Sequence, residues 1–372
     1  MERIKYEKIT GLHLELTTKC NAACPMCNRN FKGSVRKKLK MTELSLDDCK
    51  KILDVGFLKQ LKLISMCGVF GDPINNKYLL DILDYIYSVN SDIVINIYTN
   101  GSLYNTSWWV ELAKKLKNGR VIFGIDGLDG VSELHRCKTN FNKVIENAKA
   151  FIDAGGIAQW DYIVFKHNEH QVEEARKLSE KLGFFEFQIK KTSRFFKTLY
   201  ENDEFLDSTI LDYGKHPVYD IKGNIKYYIE MPDNKEYRNS TEDEIFEKIN
   251  SNETFNKYLD NVYIECQAVK THGVFISAFG EVFPCCTVYQ QVCYGSIFGV
   301  VDERELNEYK IYQNYNLSAF NSSIKEIVSG VFFDELQDSF KKNSVLEGKC
   351  KSCSRACGKS LDIHGATHTK EV

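Results

Sequence analysis

The sequence lacks the features that would place it in a membrane or outside the cell. No apolar run approaches the roughly 18 residues of a membrane-spanning helix, and the opening MERIKYEKIT is too polar for a signal peptide. It also has no low-complexity tract and no internal repeat of solenoid length. We therefore predict a cytoplasmic protein without a membrane partner.

An excess of charge of either sign is also missing. Lys and Arg total 49, Asp and Glu total 51, and the net charge is −2, so the chain as a whole is not drawn to nucleic acid. Hydrophobic residues make up 43% and charged residues 27% of the 372 residues. This composition excludes a disordered or collagen-like chain and suits about two globular domains. A nucleic-acid-modifying enzyme would need a local basic groove, and we expect no such partner.

Strand and helix patterns alternate from Gly11 to about Arg194. The first strand reads LHLELTT, where Leu12, Leu14 and Leu16 recur at period two. Five helix-then-strand units follow, the first with the helix LDDCKKILDVGFLK after Ser45 as N-cap. Strands joined by helices form parallel sheets, so the pattern predicts an α/β fold, either a doubly wound sheet or an incomplete barrel. Ligands of such folds gather at the carboxyl ends of the strands.

Thirteen cysteines, an odd number, stand out in this sequence. A chain of this length does not depend on disulfides, which are rare in reducing compartments. Two tight groups near opposite ends of the chain indicate metal binding or catalysis. The first group, CNAACPMC, places Cys20, Cys24 and Cys27 in a C-x3-C-x2-C array.

Three local thiolates suit an iron–sulfur cluster with one open iron. A [4Fe-4S] cluster has four irons, and a site for electron transfer alone normally gives each iron a thiolate. With three cysteines, the fourth iron is open to a ligand that chelates through an amine and a carboxylate, such as S-adenosylmethionine (SAM). A zinc loop or buried thiols are the alternatives, although zinc would need a fourth ligand nearby.

This motif, on the loop after the first strand, resembles the signature of the radical SAM superfamily. The resemblance implies a partial (β/α)6 TIM-like barrel in which the cysteines hold the cluster and its open iron binds the methionyl amino and carboxylate groups of SAM. One electron from the reduced cluster then cleaves the sulfonium, and the resulting 5′-deoxyadenosyl radical abstracts hydrogen from a substrate. The protein orients the reactants while the cofactor supplies the radical chemistry.

The resemblance also implies SAM contacts at the ends of later strands. In CGVFGDP, the residues Gly71, Asp72 and Pro73 are similar to the family's glycine-rich motif, which contacts the methionyl amino group. Phe70 and Asp72 replace the first Gly and the Glu of the commoner Gly-Gly-Glu-Pro, so we expect a backbone role rather than a carboxylate role. Ordinary turns are the alternative interpretation of this segment and of Asn100-Gly101.

Four more cofactor positions follow from the same resemblance. Met26, just before the third cysteine, would turn its backbone to the adenine. Asn100 in YTNG and Asp126 in GIDG would lie near the ribose or methionine, and Arg136 in ELHR would contact the SAM carboxylate. The alternatives are a helix-capping carboxylate for Asp126 and a surface charge for Arg136.

The second cysteine group resembles the auxiliary-cluster motif of SPASM-type radical SAM enzymes. Cys266 is followed by thirteen residues, Gly280, four residues and Cys285, and C-x2-C-x3-C comes later in the chain. The number of cysteines suits the shorter twitch domain, which carries one auxiliary [4Fe-4S] cluster. The resemblance implies four ligands, with Cys357 as a possible substitute: Cys266, Cys285, Cys350 and Cys353. Cys286 would point to the other face of a strand, and structural zinc is the alternative to iron.

The resemblance and the patterns together divide the chain. We assign residues 1–195 to the radical SAM barrel, 196–260 to a connecting or substrate-covering segment, 261–360 to the auxiliary-cluster domain and 361–372 to a tail. The run VFISAFGEVFPCC predicts a β-hairpin. Five tyrosines of the connecting segment either line a pocket or pack: Tyr200, Tyr213, Tyr219, Tyr227 and Tyr228.

The leading hypothesis is a radical SAM oxidoreductase. It would use SAM, an electron donor such as flavodoxin or ferredoxin, and a peptide or protein side chain or a small metabolite as substrate. After hydrogen abstraction, the auxiliary cluster would accept the remaining electron of a two-electron oxidation. The alternative is a non-catalytic iron–sulfur or zinc scaffold with a degenerate cofactor site. The sequence names no catalytic acid or base.

Overall fold

The structure, a computed structural model, describes residues 3–192, 194–195, 214–240, 243, 257–296, 312 and 314–358. Of the predicted connecting segment it therefore describes mainly residues 214–240. Tyr200, Tyr213 and the tail at 361–372 lie outside the described residues. The predicted domain limits remain predictions.

One sheet of eight strands carries the fold, and its strands run in the order β12-β11-β1-β4-β5-β6-β7-β8. All neighbours are parallel except β11 and β12. The bounds are β1 Gly11–Leu14, β4 Leu63–Met66, β5 Val94–Thr99, β6 Gly119–Gly124, β7 Ala158–Ile163, β8 Glu186–Lys190, β11 Gly273–Ile276 and β12 Val282–Phe283. Two small hairpins stand apart from the sheet: β2 Asn30–Phe31 with β3 Ser34–Val35, and β9 Lys215–Tyr219 with β10 Ile225–Glu230.

Helices connect the parallel strands, as the predicted alternation requires. Seven lie in the first part of the chain: α1 Leu46–Ile52, α2 Val55–Gln60, α3 Leu79–Val89, α4 Thr106–Lys115, α5 Ser132–His135, α6 Phe141–Asp153 and α7 Val172–Leu182. Five lie in the described part after residue 257: α8 Gln267–Lys270, α9 Cys286–Ser296, α10 Ile324–Val328, α11 Val331–Ser339 and α12 Lys351–Cys357. The six predicted parallel strands and the α/β barrel-like class are thus confirmed.

The predicted helix LDDCKKILDVGFLK is wrong as a single element. Leu53 leaves the helical conformation, and the Asp54 carboxylate accepts a hydrogen bond from the Phe57 backbone N–H at 2.9 Å. Asp is a favoured N-cap because it satisfies an amide that has no partner within the helix. The apolar periodicity runs through both helices, so it concealed the break.

The predicted hairpin around Gly280 is confirmed, and it extends the main sheet. Phe275 pairs with Phe283 in the antiparallel direction, while Gly273–Ile276 pairs in parallel with Gly11–Leu14. Buried aromatic side chains carry one continuous core from this hairpin into the C-terminal helices, including Tyr289 and Phe332. The first strand therefore has one cysteine group beyond its end, and Cys285 of the other group directly follows the neighbouring hairpin.

A second hairpin occupies residues 215–230, a segment for which the sequence patterns predicted no element. Its turn is held by the Asp220 carboxylate, which accepts the N–H groups of Lys222 at 2.8 Å and Asn224 at 2.9 Å. Gly223 adopts φ 84°, a conformation that favours glycine. The run DIKGN was the available turn signal.

Among the described helices, none is both long and apolar enough to span a bilayer.

Candidate functional site

The loop that follows β1 brings its three cysteines close together in a half-buried region. The Cys27 backbone N–H donates to the Cys24 carbonyl at 3.1 Å, which closes a tight turn between them. The Ala22 N–H points at the Cys20 sulfur at 3.4 Å, and Asn100 Nδ2 lies 3.8 Å from the same atom. Donors directed at sulfur are suited to a thiolate, the form in which cysteine binds a metal.

Burial favours the protonated form of two of these thiols, Cys20 and Cys24, when no metal is bound. It raises the pKa of the Cys24 thiol to about 12, an effect that the Arg136 charge partly offsets. Burial and the nearby Asp72 charge raise the pKa of the Cys20 thiol still further above its usual value. Because metal ligation requires thiolates, cluster binding here must release protons.

The donor set fits an iron–sulfur cluster better than a single ion. All thirteen cysteines are free thiols, and the three of this loop are soft ligands of the kind that iron–sulfur clusters use. Among the described residues, no three His, Cys, Asp or Glu side chains are grouped closely enough to hold one metal ion. Zinc–sulfur bonds are about 2.3 Å long, so a zinc site at either cysteine group would require the thiols to move together.

The Gly71-Asp72-Pro73 segment packs directly on the cysteine loop. A Cβ at Gly71 would lie 1.8 Å from the Thr17 carbonyl oxygen, so only glycine permits this approach. The Asp72 N–H donates to the Lys19 carbonyl at 2.9 Å. Pro73 opens a short 3-10 helix, Pro73–Asn75. The segment therefore forms a turn, and this turn packs against and hydrogen-bonds to the cysteine loop.

Asp72 also has a carboxylate role, which the sequence did not suggest. Its side chain is 5% exposed and accepts hydrogen bonds from the Asn100 N–H at 2.8 Å and from Asn100 Nδ2 at 2.6 Å. Thr99 Oγ1 donates to it at 3.0 Å. Asn100 Nδ2 in turn lies 3.0 Å from Asn21 Oδ1 in the cysteine loop. The ends of β1, β4 and β5 therefore meet at one carboxylate.

Asp126 and Arg136 form a buried ion pair at the end of β6. Asp126 Oδ2 accepts from Arg136 Nε at 2.5 Å and lies 2.6 Å from His135 Nδ1, while Oδ1 accepts the Ile163 N–H at 2.8 Å. Burial alone would raise the pKa of the Asp126 carboxyl, but Arg136 and His135 hold it well below its usual range. Both alternative interpretations are wrong, because Asp126 does not cap a helix and Arg136 lies inward, near Cys24.

Met26 lies apart from the other predicted cofactor residues. Its side chain is 2% exposed and packs in a separate cluster with Phe165 and Val218. Its backbone carbonyl accepts a hydrogen bond from Arg194 Nη1 at 2.8 Å. The Met26 backbone, which was predicted to face the adenine, thus has its carbonyl bound to Arg194, and the predicted adenine contact remains a prediction.

Glu15 is a site residue that the sequence analysis missed. It is 0% exposed, and its Oε1 accepts the Phe70 N–H at 2.7 Å, which ties the glycine-rich segment to the end of β1. Oε2 is buried without a hydrogen-bond partner among the described residues. Burial raises the pKa of this carboxyl to about 7. A charged residue between Leu14 and Leu16, at the edge of a buried strand, was the available signal.

The second cysteine group lines an apolar cavity of about 200 Å³ between α8, α12 and the residues that follow β12. Four of the five predicted ligand candidates line it: Cys266, Cys285, Cys353 and Cys357. Cys350 does not; it begins the last helix, and its sulfur accepts the Cys353 N–H at 3.3 Å. Cys286 was predicted to point away from the cluster because it would lie on a strand. That reason is wrong, since Cys286 is the first residue of α9. Its side chain lines the same cavity.

Comparison with known proteins places this geometry in a family. Residues 14–179 match the model of the radical SAM superfamily. No curated protein sequence matches the chain. The fold resembles Streptococcus suis SuiB bound to S-adenosylmethionine, with 16% identity, 94% of this chain and 73% of that chain covered and a TM-score of 0.55. It also resembles anSMEcpe with bound AdoMet, with 15% identity, coverage of 97% and 91% and a TM-score of 0.53.

The predicted superfamily is confirmed, and residues 14–179 form a radical SAM domain. A further structure similar to this chain is SuiB bound to its precursor peptide SuiA, at 15% identity and a TM-score of 0.57, with 98% of this chain and 76% of that chain covered. At these identities the likeness to solved structures concerns the fold. The domain contains the first cysteine group and the polar side chains at the strand ends.

We expect Gly71→Ala to disrupt the cysteine loop. The new Cβ would lie 1.8 Å from the Thr17 oxygen and 2.9 Å from the Lys19 oxygen, and overpacking of this kind costs about 1–3 kcal/mol. Urea unfolding and iron content after reconstitution should both fall. Gly11→Ala is the matched control, since its Cβ would meet its nearest atom at 3.5 Å; equal effects of the two substitutions would contradict the prediction.

The raised pKa of Glu15 predicts a pH-dependent stability. Its folded pKa of about 7 exceeds the unfolded value of about 4.3, so the folded state loses stability as the pH rises from 4.3 to 7. The loss by pH 8 is roughly 3 kcal/mol. Between pH 5 and pH 8 the unfolding free energy of the apo-protein should therefore fall as Glu15 ionises. Glu15→Gln, which cannot ionise, should lack this fall. Parallel curves for both proteins would show that the prediction is wrong.

Proposed function

We propose that this chain is a radical SAM enzyme that cleaves SAM reductively and abstracts hydrogen from its substrate. The observation that carries the proposal is the meeting of three half-buried thiols with Asp72, Asn100 and Arg136 at the carboxyl ends of parallel strands. Cys20, Cys24 and Cys27 hold the [4Fe-4S] cluster. When bound, the reduced cluster and SAM supply the 5′-deoxyadenosyl radical.

The chain's own residues bind and orient SAM in this proposal. The backbone of Gly71-Asp72-Pro73 receives the methionyl amino group, and the Asp72 carboxylate fixes Asn100 for the ribose or methionine. Arg136, held in place by Asp126, presents its remaining N–H groups to the SAM carboxylate. A Cβ at Gly124 would lie 2.5 Å from Arg136 Nη2, so glycine at this position leaves space for the guanidinium. The Met26 backbone contacts the adenine.

The second cysteine group holds an auxiliary [4Fe-4S] cluster of the twitch type. We assign Cys266, Cys285, Cys353 and Cys357 as its ligands, because these four of the five sequence-based candidates line one cavity, whereas Cys350 caps the last helix. Cys286 lines the same cavity but is not a position of the motif that the resemblance implies. This ligand set exchanges Cys350 for Cys357 relative to the sequence-based assignment. With a thiolate on each iron, such a cluster would have no open position for substrate and would accept the substrate radical's electron.

The overall reaction is then a two-electron oxidation in the cytoplasm. The substrate would lose a hydrogen atom to the 5′-deoxyadenosyl radical, then one electron to the auxiliary cluster and one proton to solvent, which would make the chain an oxidoreductase. Its substrate is a peptide or protein side chain or a small metabolite, and an external flavodoxin or ferredoxin supplies the electron for SAM cleavage. The peptide class is supported by the fold that this chain shares with SuiB bound to precursor peptide SuiA.

Anaerobic reconstitution tests the function directly. The wild-type protein should bind about eight irons for two clusters and convert SAM to 5′-deoxyadenosine with dithionite. Cys24→Ser should lose about four irons and all cleavage, while Cys49→Ser, a buried cysteine in the core outside both groups, should retain both. Bound zinc, or iron without cleavage, would instead support a non-catalytic iron–sulfur or zinc scaffold.

The ligand assignment of the auxiliary cluster predicts unequal effects of two serine substitutions. Cys357→Ser should lose about four irons because it removes a thiolate from the cavity. Cys350→Ser should keep the iron, since serine is also a favoured N-cap for the last helix. Iron analysis combined with Mössbauer spectra measures both. Loss of the cluster in Cys350→Ser with retention in Cys357→Ser would restore the assignment made from the sequence.

A further inference from the structure

A cavity of about 530 Å³ lies against the outer side of the cysteine loop. Ala23 and Pro25, the residues on either side of Cys24, form part of its wall. The remaining walls come from α5 with the following residues and from the two small hairpins, β2–β3 and β9–β10. None of the predicted SAM-contacting residues lines it, so this cavity reaches the loop from a different side.

The two hairpins form one continuous surface. A Cβ at Gly33 would lie 2.1 Å from the Asp220 carbonyl oxygen, so the hairpin backbones are in direct contact there. The β9–β10 hairpin is anchored beneath by Tyr227, whose hydroxyl donates to the Leu134 carbonyl at 2.8 Å. His216 Nε2 lies 3.2 Å from the Pro25 carbonyl oxygen. The surface is therefore fixed to the cysteine loop.

Three exposed lysines surround the cavity: Lys32, Lys138 and Lys226. None of them forms an ion pair with any residue that the structure describes. The two acidic residues of the lining have their carboxylates bound to backbone amides. Glu133 accepts the Phe141 N–H at 2.7 Å, and Asp220 holds its own turn. Lys37 and Lys40, also exposed, follow on the segment after β3.

The same hairpins expose an unusual amount of apolar surface. Ile221 is 78% exposed, Ile225 50%, Tyr228 46% and Val35 39%. Exposed apolar groups beside unpaired cations are typical of protein docking sites, where the apolar part gives contact area and the charges direct encounter. A small anion would be bound by the lysines alone and would leave these side chains without a role.

We propose that this hairpin surface docks a small acidic protein that donates single electrons to the cluster of the cysteine loop. The inference rests on the proposed function, which requires an external electron for each SAM cleavage. In the transfer, the reduced flavin or iron–sulfur group of the donor loses one electron and the cluster gains it. The donor approaches from the hairpin side, while SAM occupies the side of the strand ends.

Charge reversal of the three lysines tests the docking surface. With reduced flavodoxin as the acidic donor, Lys32→Glu/Lys138→Glu/Lys226→Glu should lower the rate of 5′-deoxyadenosine formation at least tenfold at low salt. Calorimetric titration of the reconstituted enzyme with oxidised flavodoxin should show a Kd weakened at least tenfold. For the wild type, both the rate and the affinity should fall as salt screens the lysines.

Two controls separate this inference from the proposed function. Dithionite needs no docking, so the lysine variant should keep its iron and its dithionite-driven rate. Lys59→Glu/Lys114→Glu/Lys181→Glu makes the same charge change on the last turns of α2, α4 and α7 and should retain flavodoxin binding. Unchanged flavodoxin binding in the first variant, or equal loss in both, would overturn the docking proposal. Failure of the wild type to cleave SAM with dithionite would overturn the proposed function itself.

Discussion

The buried carboxylate of Asp72 is the interaction on which the candidate site depends. Burial raises the pKa of this carboxyl, and hydrogen bonds from Asn100, Thr99 and Ile74 oppose that effect. Because an unsatisfied buried carboxylate is costly, these donors and the loops that carry them are held in one arrangement. Gly71, pressed against the Thr17 backbone, completes the connection between the glycine-rich segment and the cysteine loop.

The first strand joins the two cysteine groups into one structural unit. It pairs with β4, which leads into the glycine-rich segment, and with β11, which leads to Cys285. Between them, the Phe70 ring meets the Tyr289 ring edge to face, with centroids 6.1 Å apart. A shift of this strand would move both groups together. An aromatic-rich core thus lies between the two proposed clusters.

The sequence predicted what depends on local patterns. Alternating leucines indicated β1, the alternation of strands and helices indicated parallel pairing, and cysteine spacing indicated the family. It failed where tertiary contacts decide. Apolar periodicity hid the helix break at Asp54, and the position of Cys286 depended on where β12 ends. The roles of Glu15 and of the Asp126–Arg136 pair arise from burial, which one sequence does not display.

The hairpin at 215–230 shows the same limit in another form. Its strands are short, its outward side chains include Ile225 and Tyr228, and an isolated hairpin of this kind is only marginally stable. It exists because it packs on Met26 and Pro25 of the cysteine loop. The position of this hairpin could therefore not be predicted from its own sequence, because it depends on packing against the cysteine loop.

The open iron of the first cluster is the central claim, and electron–nuclear double resonance tests it most directly. The reduced protein would be frozen with SAM carrying ¹⁵N in the methionyl amino group. We expect a ¹⁵N coupling to the cluster spin that is absent with ¹⁴N SAM and absent in Cys24→Ser. A reduced cluster that shows no such coupling, with a protein side chain on its fourth iron, would contradict the account.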